Sequence, residues 1–480
     1  MGAINGEAFI QRIDKLGTEI WFDGAKINGL LSEHPHFKGI LQSKASLYDL
    51  QHDPNIKEEM TFASPKTGEA VGLSFLQPKS KEDLYKRRKM IQHWAAHTNG
   101  IMGRSPDYLN TVLMSFASSA ELLRNQKNCF PEHLIKVFEN ARDRDLSFTH
   151  TFITPQVNRS QVYIENSKLP IAAKVVGETD QGIIIKGARL LATQGGLTDE
   201  VLVFSVGRFL FNEDEAFAFS IPSNTKGLSF ICRDSFLGGD SRIDHPLSSQ
   251  YEEMDSIVVF DDVLVPWERV FYYNNGDAAE EFFEECSFHA FAKHQVLIRQ
   301  IVKTEFILGL SQVLIETINV REFQHIQEKM SEIIIGLETL KALLERSENN
   351  AALDQWGYMR PDVTPLKVAG TLFPKLYPRF MEIIQLIGAS GMITLPTEKA
   401  FHSDIREKLD LYLQGATKTA IDRVKVFRLA WDLSMSAFGT RQTQYERYFF
   451  GDPIRVASDL YKSYPLKTHT DKIGKFLNLD

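Results

Sequence analysis

Seven apolar residues, Phe323, Ile326, Met330, Ile333, Leu337, Leu340 and Leu344, recur at alternating steps of three and four. That spacing lays one apolar seam along a long helix, and an uncovered seam of this length is unstable in water. It predicts a helical bundle in the C-terminal part of the chain, with subunit contacts. Further helices are expected over Pro365 to Ile387, Glu398 to Gln414 and Ala416 to Phe438. At 480 residues the chain is long enough for two or three substructures.

The region from Gly6 to about Asp145 also reads as mainly helical. Lys81 to His97 forms a basic amphipathic helix that ends near Asn99-Gly100. His93 and His97 stand at the i, i+4 spacing of metal ligands. The residues between them are Trp-Ala-Ala with no acidic partner, which favours surface or packing roles. A second helix opens at Ser105-Pro106-Asp107, with Ser as N-cap, Pro in the first turn and Asp favoured by the dipole, and runs to about Arg124. A third spans Pro131 to Asp145.

The pattern changes at Leu146. Short β-branched runs separated by turns continue to about Tyr273, among them Ile183-Ile184-Ile185, Val201 to Val206, Ala216 to Ile221, Leu228 to Cys232 and Ser256 to Phe260. Their close spacing predicts a compact β-barrel or sandwich. The expected organisation is a helical domain over 1–145, a β-domain over 146–275 and a helical bundle with tail over 276–480, a mainly α member of the α+β class. At the first junction, Leu146 to Ser160 reads LSFTHTFITPQVNRS and gathers His150 with many hydrogen-bonding side chains. It suits a ligand site, although a core histidine bonded to a backbone carbonyl would look the same.

Several chemistries are excluded by what the sequence lacks. No two of the 30 glycines are separated by a single residue, so there is no G-x-G-x-x-G fingerprint. A P-loop, H-E-x-x-H, C-x-x-C and G-x-S-x-G are absent too, and no metal site is expected. A net charge of -8 argues against nucleic acid, and no apolar run is long enough for a membrane span. The N-terminus acquires charge too early for a signal peptide, and three widely spaced cysteines fit a reducing cytoplasm.

Two helix starts carry an arginine beside a cap: Gly103-Arg104-Ser105-Pro106-Asp107-Tyr108 and Gly451-Asp452-Pro453-Ile454-Arg455. A helix N-terminus with a guanidinium suits an anion such as a phosphate or phenolate. Equally, Arg104 and Arg455 could pair with Asp107 and Asp452 to hold the caps.

Seven segments in order, SLYDLQHDP (46–54), GRSPDYLN (103–110), HTFITPQVNR (150–159), GGDSRIDHPLSS (238–249), FDDVLVPWERV (260–270), IGASGMITLP (387–396) and YERYFFGDPIR (445–455), carry a family resemblance. The chain resembles the oxygenase component of two-component, flavin-dependent 4-hydroxyphenylacetate 3-monooxygenases. The resemblance implies an acyl-CoA-dehydrogenase-like fold of helical domain, β-barrel domain and four-helix bundle, assembled as a homotetramer. It implies FAD, used as FADH2 from a separate NAD(P)H:flavin reductase, with dioxygen as co-substrate and a flavin hydroperoxide as the oxygen donor. The missing dinucleotide fingerprint agrees with an external reductase.

Carried over by position, Arg104, Tyr108 and His150 resemble the catalytic trio around the phenol oxygen. His150, Thr151, Phe152, Gln156, Val157, Asn158, Arg159, Thr193, Asp452, Pro453, Ile454 and Arg455 resemble the flavin contacts. Arg104 to Tyr108 (with Ser105, Pro106 and Asp107), His150, Ser205 and Val206 resemble the substrate pocket. A phenol titrates about 3.5 units above a histidine, a gap of roughly 5 kcal/mol, so His150 needs Arg104 to stabilise phenolate charge. The family holds the substrate carboxylate with adjacent Ser and Thr hydroxyls. Here Ser205-Val206-Gly207 offers one hydroxyl, and the preceding Gln194 to Leu197 loop is one residue longer. The expected activity is ortho-hydroxylation of 4-hydroxyphenylacetate or a close para-substituted phenol. Rival readings are a hydroxylase of a chlorophenol or hydroxycinnamate, a lyase like the 4-hydroxybutyryl-CoA dehydratases with an iron–sulfur cluster on cysteines, and a non-catalytic flavin-binding paralogue.

Overall fold

The computed structural model describes residues 2–155, 157, 170–206 and 212–479. Helices come first, strands follow and helices close the chain. The seam lies on the helix Gln324–Asn349, with Phe323 as its N-cap. Ile326, Ile333, Leu337, Leu340 and Leu344 are buried, and the helix packs on Phe288–Ile318 and Val363–Gly388. The stripe is therefore covered within the chain, and only Phe323 at its end is exposed.

Two expected helices are interrupted. Glu398 to Gln414 resolves into a 3-10 turn, Glu398–His402, and a short helix, Arg406–Tyr412. Ala416 to Phe438 becomes Ala420–Ser434 followed by Ala437–Tyr448. The break falls at Ser436, whose side chain caps the second helix by accepting from the Gly439 N–H at 3.0 Å. In the N-terminal part, Lys81–His97 forms as expected, and its two histidines find separate partners: His93 meets Glu59, and His97 Nε2 lies 2.8 Å from Ser46 Oγ. The buried helix Pro106–Ser118 stops short of Arg124 and continues as the 3-10 turn Ala120–Leu123. Pro131–Arg144 ends on Asp145 in the left-handed conformation.

Among the described residues the strands of this region correct one expectation: they form two open sheets, not a closed barrel. The larger runs Ala25–Lys26, Ile20–Phe22, Leu228–Cys232, Asp255–Pro266, Gly182–Thr193, Lys174–Glu178. The smaller runs Val270–Tyr273, Phe217–Pro222, Glu200–Phe204, Phe148–Thr151. Strand spacing counts strands but does not say whether the outermost ones pair, and among the described residues they end as edges. The N-terminal strand Ile20–Phe22, parallel to Leu228–Cys232, extends one edge. At one corner the sheets are tied together, where Thr149 Oγ1 donates to Thr193 O (2.7 Å) and Thr151 Oγ1 to Leu190 O (2.9 Å).

Alternation along the smaller sheet positions the site. Val201, Val203, Phe217 and Phe219 join the core that includes the larger sheet. Phe148, Leu202 and Phe204 join the core that includes the helix Pro106–Ser118. His150 pairs in register with Leu202, so it stands on the helix-facing side.

Candidate active site

The turn before Pro106–Ser118 is held from beneath by a buried carboxylate. Glu253 accepts from the Gly103 N–H (2.8 Å), the Arg104 N–H (2.6 Å) and Gln194 Nε2 (3.0 Å). Gln194 Nε2 also donates to Arg104 O at 3.0 Å, so the loop that carries it grips the same turn. Gly103 is required here by space, because a Cβ would come within 2.2 Å of the Tyr445 ring.

Fixed in this way, the Arg104 side chain lies between aromatic rings. Its guanidinium carbon is 4.3 Å from the centre of Tyr108 and 4.2 Å from that of Phe449. It does not pair with Asp107, whose carboxylate takes Ser105 Oγ on one oxygen and Gln295 Nε2 (2.9 Å) on the other. Arg104 Nε and Nη1 are buried without a hydrogen-bond partner among the described residues. Buried donors left unspent on a charged group are costly unless a ligand takes them.

His150 is 7% exposed, and its ring lies 6.0 Å from Tyr108, 5.8 Å from Phe204 and 5.4 Å from Phe152, centre to centre. No hydrogen bond ties its ring to a backbone carbonyl among the described residues. Burial, and then the Arg104 charge, pull its pKa well below the ordinary 6.5. Burial raises the Tyr108 hydroxyl, against Arg104 and Arg299, which pull it down. At neutral pH the three groups are a cation, a neutral imidazole and a neutral phenol, all near one point.

The other expected residues divide. Phe152 stacks beside His150, and Thr151 uses its hydroxyl on Leu190 O. Thr193 Oγ1 donates to Asp255 at 2.9 Å. Arg441 and Arg233 hold that carboxylate below its usual range despite burial. Asp452 caps the helix Pro453–Ser463 through the Ile454 N–H (2.9 Å), while Ile454 is 79% exposed. Arg455 leaves Asp452 alone; it donates to Phe450 O at 3.2 Å and faces Asp459 at 3.8 Å. Val157 is exposed, and Gln156, Asn158, Arg159, Ser160 and Gly207 lie outside the described residues.

Ser205 is not brought to the trio. It follows Phe204, so it points to the opposite side of the sheet, and its hydroxyl donates to Glu215 O at 2.5 Å. Val206 turns back and packs with the helix-facing core. Phe449 and Tyr445 are site residues that the sequence reading missed. Arg441, Tyr445 and Phe449 stand at i, i+4, i+8, a spacing that marks one face of a helix end. The half-buried faces of Phe152 and Phe449, and the capped helix start with Arg455 beside it, fit a flavin ring and its diphosphate. His150, Thr151, Phe152, Thr193 and Asp452 to Arg455 would hold it. Burial pushes the thiols of Cys129, Cys232 and Cys286 each up to about 12, and no metal-ligand cluster forms among the described residues.

Comparison with known proteins defines the class first. An archaeal 4-hydroxybutyryl-CoA dehydratase from N. maritimus shares the fold at TM-score 0.87, over 100% of this chain and 95% of that one, at 17% identity. The architecture is thus mixed α+β, in the fold that dehydratase also has. The oxygenase component of a 4-hydroxyphenylacetate 3-monooxygenase, solved with FAD and 4-hydroxyphenylacetate, superposes at TM-score 0.94 with 42% identity, over 99% of this chain and 98% of that one. A probable 4-hydroxyphenylacetate 3-monooxygenase of Bacillus subtilis is 65% identical over 480 residues, 100% of this chain and 99% of that protein. Residues 5–272 match the family model described as 4-hydroxyphenylacetate 3-hydroxylase N terminal, and residues 279–478 match its C-terminal counterpart. The chain belongs to the 4-hydroxyphenylacetate 3-hydroxylase family.

Proposed function

We propose that this protein is the oxygenase component of a two-component 4-hydroxyphenylacetate 3-monooxygenase, acting on FADH2 made by a separate reductase. The observation that carries the reading is Arg104: a half-buried guanidinium with two buried, unspent nitrogens, stacked on Tyr108 beside a neutral His150. A phenol hydroxyl docked there meets a donor fork, a hydroxyl and an imidazole acceptor.

His150 enters as an acceptor, because its depressed pKa makes full proton transfer from a resting phenol uphill. Transfer is favoured as negative charge builds on the phenol oxygen, where Arg104 and the start of the helix Pro106–Ser118 stabilise it. That charge enriches the ring carbon ortho to the hydroxyl. Reduced flavin and dioxygen supply an electrophilic oxygen atom, with the second oxygen leaving as water. Loss of the proton from that carbon then restores aromaticity, and the proton held by His150 returns to the phenol oxygen to give the catechol. Phe152, Phe204 and Phe449 keep water from the reacting atoms.

Exposed Ile334, Ile335, Leu386 and Ile393 on the bundle support assembly into a homotetramer. No helix among the described residues is long and apolar enough to cross a membrane, which is consistent with a cytoplasmic enzyme. The test supplies FAD, NADH and a generic flavin reductase and measures 3,4-dihydroxyphenylacetate. Hydrogen peroxide as the sole product across a panel of phenols would overturn the reading.

A further inference from the structure

Arg104 and His150 must meet on one phenol oxygen, yet they stand on separate elements, the turn before the helix Pro106–Ser118 and the strand Phe148–Thr151. Each element is tied to a buried carboxylate. The turn rests on Glu253, which accepts from the Gly103 and Arg104 N–H groups at 2.8 and 2.6 Å. The strand reaches Asp255 in two steps: Thr149 Oγ1 donates to Thr193 O (2.7 Å), and Thr193 Oγ1 donates to Asp255 (2.9 Å). Glu253 and Asp255 are 0% and 7% exposed and lie two residues apart, where the strand Asp255–Pro266 begins.

One side chain joins the two carboxylates. Arg441, on the helix Ala437–Tyr448, grips Asp255 with two nitrogens of its guanidinium, Nε at 3.1 Å and Nη2 at 2.7 Å. Nη2 also donates to Glu253 O at 3.3 Å, and Nη1 lies 3.5 Å from the Glu253 carboxylate. The guanidinium carbon is 4.2 Å from the centre of the Tyr445 ring, and that ring is 5.4 Å from the guanidinium carbon of Arg104. Arg441 is buried with the acids it holds. The two acids do not depend on it equally. Asp255 has a second cation, Arg233, with Nε at 3.0 Å, whereas Arg441 is the one ion-pair partner of Glu253 among the described residues. Loss of the guanidinium therefore falls hardest on the carboxylate that carries the Arg104 turn.

We propose that Arg441 is a positioning residue that sets the spacing of Arg104 and His150, so that the donor fork and the imidazole act on the same phenol oxygen. This role rests on the phenol-hydroxylase reading and adds to it what holds the two halves of the site in register. A planar fork suits the task because it meets the Asp255 carboxylate with two nitrogens and still faces Glu253 with the third, whereas an ammonium is a point charge. The contacts of Arg441 go to the two acidic residues and Tyr445, so its effect on the reaction passes through Arg104 and His150. A misplacement of about 1 Å between reacting groups is enough to cost roughly 100-fold in rate.

The test compares the full-length protein with its Arg441→Lys and Arg441→Met variants. With FAD, NADH and a generic flavin reductase, kcat, KM and the catechol formed per NADH consumed are measured for 4-hydroxyphenylacetate. On the flavin-free protein, the visible phenolate band of bound 4-nitrophenol and the Tm are recorded. In Arg441→Lys the expected KM stays within about threefold, while kcat and the catechol yield fall roughly tenfold or more and the phenolate band weakens. Arg441→Met shifts the same readouts further, and Arg441→Lys decides alone if Arg441→Met does not fold. A lower Tm with yield and band both as in the wild type would mean that Arg441 only supports the fold, and a raised KM with kcat unchanged would assign it to substrate binding. Either outcome overturns the proposal. A wild-type protein that binds 4-nitrophenol but forms no catechol from any phenol overturns the phenol-hydroxylase reading, and the phenolate band then decides the role of Arg441 by itself.

Discussion

Arg104 lies face-on to Tyr108, with its guanidinium carbon 4.3 Å from the ring centre, and keeps two buried nitrogens free of any partner among the described residues. The stack orients the planar fork, and the Glu253 carboxylate fixes the backbone that carries it. The Arg104→Lys variant retains the charge but loses the planar fork and its stacking. We expect hydroxylation to fall roughly 100-fold, with the reducing equivalents diverted to hydrogen peroxide. The ratio of catechol formed to NADH consumed measures it.

His150 predicts an acid-side effect on stability. Its folded pKa is below the unfolded value of about 6.5, so the unfolded chain takes up the proton first. Stability is therefore lost as the pH falls from about 6.5 towards the folded value, and the contribution is flat above that window. The decline of Tm between pH 6.5 and 5 becomes shallower in His150→Asn. Some decline remains, because His289 is shifted in the same direction. An unchanged slope would mean that His150 is not buried neutral.

A second buried network supports the site from the bundle. Glu446 accepts from Arg299 at 2.6 and 3.0 Å and from Lys303 at 2.8 Å, and all three are buried. Arg299 also donates to Gly100 O (3.1 Å), which joins the helix Ala437–Tyr448 to the turn leading to Arg104. Glu446→Gln leaves two buried cations without their carboxylate. A loss of about 3–5 kcal/mol is expected, seen as a lower midpoint in chemical denaturation.

Ser205→Ala separates the family's pattern from this chain's geometry. Because the hydroxyl is bonded to Glu215 O, its removal should cost about 1 kcal/mol of stability. The KM for 4-hydroxyphenylacetate should stay within about twofold of its starting value. A tenfold rise in KM would place Ser205 on the substrate after all.

The candidate site was legible where its signal is local. Gly103 to Tyr108 and His150 are short motifs, and a helix start with an arginine points to an anion whatever the rest of the chain does. The question left open was whether Arg104 pairs with Asp107. Gln295, nearly two hundred residues away, answers it by taking the Asp107 oxygen. Tyr445, Phe449 and Arg441 escaped notice for a related reason: an aromatic or an arginine on a helix face is ordinary until something far away lies opposite it.

The seam Phe323 to Leu344, the helix that opens at Pro106 and the strand runs after Leu146 follow from periodicity and from proline in a first turn, which depend on neighbours within one or two turns, so the sequence alone determined them, although Ser105 spends its hydroxyl on Asp107 and not on a helix N–H. Whether the strands closed, where Ser436 interrupted a helix, which side of the sheet Ser205 faced and whether Arg104 was left unpaired were decided only by the tertiary structure. Each depends on groups far apart in the chain competing for the same hydrogen bonds and the same space, and that competition is settled only when the chain packs.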